Sequence, residues 1–417
     1  MTSPEFKPSY IAIACGGTGG HLFPGLAVAE QLQQRHCDVA LLISPKDIDQ
    51  QAVKTAQGME IFTLPAVGLQ NRNYFSFARS FWKSFRASRD FFNVRPPQAV
   101  LAMGGFTSAP PILAAKKHGA KTFLHESNTV PGRANRFLSR FVNEAFVGFP
   151  EAAPRLKVRQ VATTGTPVRR AFQPRDAAAC RIALGLEANR PTILVVGGSQ
   201  GASGLNGAIL SVLSLLAMKN WQWLHLTGAK DFEKVKAAYN GQGINAVVKP
   251  FLAEMNLALG AATIAVSRAG ASSLAELAAM RLPALLIPFP AAADNHQFFN
   301  ARAFEAVGAA RLLEQKNSTP EKVAVTLTKL VEAEATRLKM QSALAQRHTP
   351  HAAEQIAENI LQLMGRAALK STSIQIPAPK EASSSNNKTV AYARVFGVWC
   401  LLFLGSLAPI VGSHLCQ

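Results

Sequence analysis

The chain has 417 residues, of which 48% are hydrophobic and 17% charged, a balance that excludes a disordered chain and a single small domain and predicts two ordered domains with extensions. Its 44 Lys and Arg against 25 Asp and Glu leave a net charge of +19, so an anionic partner is implied: nucleic acid, acidic lipid or a phosphorylated substrate. Five cysteines, without a CxxC or a Cys/His cluster, exclude a disulfide framework and a zinc site, and only about five apolar residues precede the first glycines, too few for a secretory signal.

Short apolar runs alternate with helical patterns along the chain. YIAIA at 10–14, VALLI at 39–43, AVLAM at 99–103, KTFLH at 121–125 and EAFVG at 144–148 are rich in β-formers and do not alternate, as expected of strands covered on both faces of a parallel sheet. Residues 25–34 and 108–118 have the length and period of crossover helices. After a proline-bearing connection at 165–174 the pattern restarts with PTILVVGGSQGA at 191–202 and continues through 221–228, 246–251, 263–271 and 282–290. The expected fold class is α/β, two Rossmann-like doubly wound parallel-sheet domains facing across a cleft, with ligands at the carboxyl ends of the strands. The expected boundaries are 1–168 and 169–366, with a last helix able to lie back on the first domain, then a Ser/Pro/Lys/Asn linker at 367–394 and an apolar tail at 395–417. Within that tail, 395–412 has roughly the minimum length of a bilayer span, so it is either a membrane anchor or a fortuitous extension.

Each domain opens with a strand, a glycine loop and a helix, an arrangement that presents backbone N–H groups and a helix N-terminus to a phosphate. The first loop, CGGTGGHLFPG at 15–25, fails the dinucleotide pattern, because Leu22 stands where the third glycine belongs and Ser44 where an acidic residue should close the next strand. NAD is therefore disfavoured, and no GxxxxGK[ST] is present. His21, at the start of the helix, is either a base facing the cleft or a loop histidine bonded to a backbone carbonyl. The triplet Asp47-Ile48-Asp49 reads as solvated surface.

Seven segments in order make the pattern specific: GGTGGHLFPGLAVAE, AMGGFTSAPPILAA, HESNTVPGRANRFL, TGTPVR, VVGGSQGASGLN, SRAGASSLAELAAMRLPALLIPFP and DNHQFFNARAFEAVGAARLLEQ. Over about residues 8–365 the chain resembles the MurG family of peptidoglycan N-acetylglucosaminyltransferases. The resemblance implies a GT-B enzyme that moves N-acetylglucosamine from UDP-N-acetylglucosamine to the C4 hydroxyl of the muramoyl sugar of lipid I, with inversion, giving lipid II. It implies roles in peptidoglycan and cell-wall biogenesis, cell shape, cell division and the cell cycle, with proteins of those processes as partners, no cofactor, no metal and no nucleic acid. Carried onto this sequence, the donor contacts are Thr18, Gly19, Gly20, Asn128, Arg169, Ser199, Leu252, the run Ala271, Ser272, Ser273, Leu274, Ala275 and Glu276, and Gln297. His21 is the candidate base and Glu126 the rival carboxylate. Arg268 either anchors its loop or faces the diphosphate, and His296 stands where some members have a second glutamine. Another GT-B sugar transferase and a non-catalytic nucleotide-sugar-binding membrane protein are the alternative readings; the second predicts UDP binding without transfer.

The stretch YFSFARSFWKSFRASRDFF at 74–92 interleaves aromatic and basic residues. At helical spacing Phe77, Phe81 and Phe85 share a face, with Trp82, Arg79, Lys83 and Arg86 beside it, as expected of a segment lying in an anionic membrane interface or, alternatively, of an aromatic stripe facing the core. The resemblance implies docking of the first domain on the inner leaflet, so the expected location is peripheral, on the cytoplasmic face of the bacterial inner membrane.

Overall fold

The structure, a computed structural model, describes residues 8–66, 74–198, 201–216 and 220–371. The first half of the chain forms β1 (Tyr10–Ala14), α1 (Gly19–Gln33), β2 (Asp38–Ile43), α2 (Asp47–Ala52), β3 (Glu60–Thr63), α3 (Tyr74–Val94), β4 (Ala99–Ala102), α4 (Ala109–Lys117), β5 (Lys121–Glu126), α5 (Arg133–Leu138), β6 (Glu144–Val147) and β7 (Val161–Thr163). The second forms α6 (Ala177–Ala183), β8 (Thr192–Val196), α7 (Ser203–Leu210), β9 (Gln222–Leu226), α8 (Phe232–Gly241), β10 (Ala246–Lys249), α9 (Met255–Ala261), β11 (Ile264–Ser267), α10 (Ala271–Ala279), β12 (Ala284–Leu286), α11 (His296–Ala306) and β13 (Arg311–Leu312). Then come α12 (Pro320–Glu332), α13 (Glu334–Arg347) and α14 (Ala352–Ser371).

The strands make two parallel sheets, seven-stranded in the order β3-β2-β1-β4-β5-β6-β7 and six-stranded in the order β10-β9-β8-β11-β12-β13. Each reverses direction beside its first strand, between β1 and β4 and between β8 and β11. A crevice opens at such a switch point because the two flanking loops leave on opposite faces. The two glycine loops follow β1 and β8, so the fold brings both to crevices.

Strand periodicity sorts the first core. Ile11, Ile13, Leu41 and Leu101 face one side with Leu22, Leu26 and Leu32 of α1, while Ala12, Leu42 and Val100 face the other with Ile112 of α4 and Phe77, Phe81 and Phe85 of α3. Burying a Leu, Ile, Val or Phe side chain in this way contributes about 2 kcal/mol of transfer free energy. The second sheet divides likewise, with Leu194, Leu224 and Ala265 toward α9 and α10 and Ile193, Val195, Trp223 and Val266 toward α7, α8 and α12.

Two expectations change here. Phe77, Phe81 and Phe85 are buried in the core, not presented to a membrane. Their four-residue spacing does define one face of α3, but that face covers the sheet. The outer face instead carries Phe75, 82% exposed, and Trp82, 37% exposed, among exposed Arg79, Lys83 and Arg86. The last helix also runs on to Ser371, past the expected start of the linker at residue 367. It lies against the first sheet's helix layer, with Ile356, Ala357 and Ile360 in the same core as Ile11 and Leu26. Residues 372–417, including the apolar run at 395–412, lie outside the described residues. No helix among the described residues is long and apolar enough to cross a membrane.

Candidate functional site

The first glycine loop turns sharply after β1. Gly17 has φ +111°, a left-handed backbone that a side chain would strain, and Thr18, in extended backbone, leads into α1. Asp49 of α2 lies beneath this loop and is fully buried. Its Oδ2 accepts from the backbone N–H of Gly17 at 2.6 Å, from the N–H of Ser44 at 3.1 Å and from the Ser44 hydroxyl at 2.5 Å. Lys46 Nζ donates to the Gly17 carbonyl at 2.9 Å. The expectation of a solvated acidic triplet therefore fails at Asp49: the glycine amide and Ser44 supply the hydrogen bonds that make burial of its charge tolerable.

His21, in the first turn of α1, is half-buried, and its Nδ1 lies 3.1 Å from the Thr18 hydroxyl. The ring rests on the glycine pair that follows β4. A Cβ on Gly104 would come within 3.0 Å of Nε2, and one on Gly105 within 3.1 Å of Nδ1. Burial pushes the imidazole down from its usual value to about 4, with Asp49 raising it and His296 and Lys46 lowering it further. The ring is thus neutral at pH 7.

Glu126, at the end of β5, is buried, and its carboxylate is fully engaged. One oxygen accepts from the N–H of Asn128 at 2.9 Å and its side-chain amide at 3.0 Å, the other from the Gly132 N–H and the Asn135 amide, both at 2.9 Å. These bonds tie the loop between β5 and α5, and they give Glu126 a bracing geometry in place of a base's. Asn128 is held from the other domain as well. Asn300 of α11, fully buried, donates to Asn128 Oδ1 at 3.0 Å and to the Ala269 carbonyl at 3.2 Å, and accepts from the Thr129 N–H and hydroxyl at 2.9 and 3.0 Å.

Across the cleft, α10 begins at Ala271 with its N-terminus toward that of α1. A Cβ on Gly20 would sit 3.6 Å from Ser272 Oγ. Ala271 and Leu274 are buried, while Ser272, Ser273, Ala275 and Glu276 remain partly accessible. Burial raises the Glu276 carboxyl to about 7 against the pull of Arg169. The Arg169 guanidinium lies 4.2 Å from the ring centre of Phe23 on α1 and 4.9 Å from that of Phe172, stacked over both. Arg268 resolves toward the loop-anchoring reading, because its guanidinium donates to the carbonyls of Ile287 and Pro288 at 2.9 and 3.0 Å and to Gln315 at 2.7 Å. Gln297 Oε1 accepts from the N–H groups of Ala269 at 3.3 Å and Phe289 at 3.0 Å. Leu252 follows β10 and packs against the second core. Ser199 lies outside the described residues.

Two helix N-termini, a neutral imidazole and a stacked guanidinium therefore converge where the domains meet. The sequence matches the Glycosyltransferase family 28 N-terminal domain over residues 11–147 and the family's C-terminal domain over 192–356. It is 35% identical over 370 residues to the UDP-N-acetylglucosamine--N-acetylmuramyl-(pentapeptide) pyrophosphoryl-undecaprenol N-acetylglucosamine transferase of Anaeromyxobacter dehalogenans, covering 85% of this chain and 93% of that one. The protein of the same name in Bacillus subtilis is 32% identical over 352 residues, covering 83% and 97%. Among solved structures, MurG of Acinetobacter baumannii superposes with a TM-score of 0.67 at 28% identity, covering 85% of this chain and all of that one.

The chain belongs to the MurG family.

Within this MurG-family site, sequence reasoning overlooked three groups. Asp49 was assigned to the surface, because nothing in an acidic triplet announces that a glycine amide waits above it. Asn300 was quoted within its motif but given no role, although an asparagine among apolar helix positions is a signal for a buried amide knot. Thr107, whose hydroxyl donates to the Gly16 carbonyl at 2.7 Å, is invisible without the β1–β4 adjacency.

Proposed function

We propose that the protein transfers N-acetylglucosamine from UDP-N-acetylglucosamine to the C4 hydroxyl of the muramoyl sugar of lipid I, forming lipid II with inversion. The observation that carries this reading is the neutral His21 at the meeting point of the α1 and α10 N-termini, in a chain of MurG-family sequence. With Nδ1 donating to the Thr18 hydroxyl, Nε2 holds a lone pair for the acceptor proton. As the C4 oxygen bonds to the anomeric carbon, the bond from that carbon to the β-phosphate oxygen breaks and UDP leaves with the electron pair. The first-turn amides of α10 and the guanidinium of Arg169 face the charge that builds there. Glu276 accepts hydrogen bonds from the ribose hydroxyls, Leu252 lines the uracil, and Gln297 and Asn128 border the sugar. Thr18, Gly19 and Gly20 close the pocket from the first domain, and Ser199 belongs to the second glycine loop. Glu126 braces the β5–α5 loop.

The first domain, residues 1–168 with the last helix against it, receives the acceptor, and residues 169–366 receive the donor. The outer face of α3, with Phe75 and Trp82 between Arg79, Lys83 and Arg86, suits an anionic membrane surface, where an aromatic ring enters the interface and the cations meet headgroups. Such a face supports a peripheral position, and the lipid I acceptor of the proposed reaction puts that position on the cytoplasmic leaflet. The deciding experiment is transfer of radiolabelled N-acetylglucosamine by the full chain to a lipid I analogue, with His21→Ala as control. Transfer lost in the control supports the reading, and UDP binding without any transfer by the wild type overturns it. Sedimentation with vesicles of anionic and of neutral lipid tests the membrane face: Phe75→Ser with Trp82→Ser should weaken binding to the anionic vesicles.

A further inference from the structure

The first glycine loop is gripped at three backbone atoms of Gly16 and Gly17. Asp49 Oδ2 takes the Gly17 N–H at 2.6 Å and Lys46 Nζ reaches the Gly17 carbonyl at 2.9 Å, while the Thr107 hydroxyl donates to the Gly16 carbonyl at 2.7 Å. Asp49 is in turn held by the N–H and hydroxyl of Ser44, at the end of β2. The next residue after this grip is Thr18, whose hydroxyl is 3.1 Å from His21 Nδ1, and whose carbonyl accepts the His21 N–H at 3.0 Å. Rotation of the Gly17 peptide would pass directly to Thr18 and from there to the imidazole, which has little slack because Gly104 and Gly105 lie against it.

We propose that Asp49 is a positioning residue for the transfer reaction: its buried carboxylate fixes the Gly17 peptide and so sets both the place of His21 and the electrostatic field at its ring. The inference rests on the reading of His21 as the base. It also reassigns part of the glycine loop. The Gly17 N–H belongs to a carboxylate, so an anionic ligand meets the first-turn amides of α1 and not this one. The field has a direction that favours the reaction. Of the groups facing His21, burial, Lys46 and His296 oppose its protonation, His125 stands nearby as a buried neutral ring, and Asp49 favours it. A base that must become an imidazolium during transfer gains from a fixed negative charge that needs no rearrangement.

The test uses the full chain as wild type, Asp49→Ala, Asp49→Asn and Asp49→Glu. Asp49→Ala should lower kcat about 10²-fold, the scale of a small misplacement of a reacting group. Its KM for UDP-N-acetylglucosamine should rise by less than kcat falls, because the α10 and Arg169 contacts to the donor lie in the second domain and only Thr18, Gly19 and Gly20 reach it from the displaced loop. Asp49→Glu, which keeps the charge and an acceptor oxygen, should recover most of the lost kcat. Asp49→Asn keeps an acceptor for Gly17 and Ser44 but drops the charge, so the His21 titration, followed by nitrogen NMR and identified among the nine histidines by its loss in His21→Ala, should move to lower pH. An Asp49→Ala enzyme with wild-type kcat, a loss that only matches the unfolded fraction, or an unchanged His21 titration in Asp49→Asn would each overturn the proposal. If the wild type transfers no sugar, the function reading fails, while the His21 titration still decides whether Asp49 governs that ring.

Discussion

The two halves of the cleft brace their loops with different groups, and buried carboxylates do so only in the first. On the first domain's side the braces are buried carboxylates, Asp49 beneath Gly17 and Glu126 beneath Asn128 and Gly132. On the second domain's side the same task falls to a guanidinium, Arg268, and to the neutral amide of Gln297. Either chemistry can satisfy buried backbone groups, so stability alone does not choose between them. The ligands do. A diphosphate bound at the α10 N-terminus would be repelled by a carboxylate brace, whereas a histidine that must take up a proton is helped by one. On the proposed mechanism, the buried carboxylates stand in the half where positive charge would develop, and the guanidinium and neutral amide in the half where negative charge would develop.

The strongest way to break this contrast is to remove the base. His21→Ala should cost about 10²- to 10⁴-fold in kcat in the radiolabel assay and leave UDP affinity, read by calorimetry, unchanged. Equal losses in both would mean that His21 serves the donor half. Next in size, Glu126→Ala leaves its backbone and amide donors without their acceptor, and should lower the urea-unfolding free energy by about 3 kcal/mol. A stable variant with lost catalysis would instead make Glu126 a chemical group. Gln297→Glu sharpens the contrast most directly, since a glutamate oxygen can accept from Ala269 and Phe289 as the amide does. UDP affinity should fall about tenfold with little change in stability, from added negative charge alone. The smallest effect is a flat line. On the proposed mechanism His21 works as the free base, and burial holds it at about 4, below the usual 6.5, so its contribution is lost only as pH falls through about 4. At saturating donor kcat should therefore hold from pH 7 to about pH 5, while kcat/KM also follows Glu276, whose carboxyl is raised to about 7; a tenfold decline of kcat over that interval would show an ordinary, solvated histidine.

The fold was legible because its strands are short apolar runs covered on both faces, which leave few alternatives once crossover helices separate them. YIAIA became β1 over the expected residues. The start of α1 was less legible: residues 25–34 carry the helical pattern, yet the helix begins at Gly19 and accommodates Pro24 near its N-terminal end. Glycines that read locally as a loop are helical here because the sheet and Thr18 fix where the turn ends. For α3 the period was readable but the direction was not. An aromatic stripe at four-residue spacing has the same pattern whether it meets a sheet or a lipid, and only the position of β4 and α4 decides. The candidate site divides similarly. Residues in contiguous motifs, such as His21 and the α10 opening, could be named from sequence, while Asp49 and Thr107 reach the first glycine loop from α2 and from the loop after β4, 32 and 91 positions away.

The path of α14 bears on how the molecule comes into being. Its residues complete the covering of the first sheet, yet they emerge from the ribosome after the whole second sheet has been made. At about 5–20 residues per second the interval between β7 and α14 is roughly ten to forty seconds. For that time the flank of α1 that Ile356 and Ile360 will cover is exposed, and the domain begun first is the one finished last. Synthesis of α14 thus doubles as the closing step of this domain's assembly, and nascent chains halted before residue 352 are those on which chaperones would find an uncovered apolar wall.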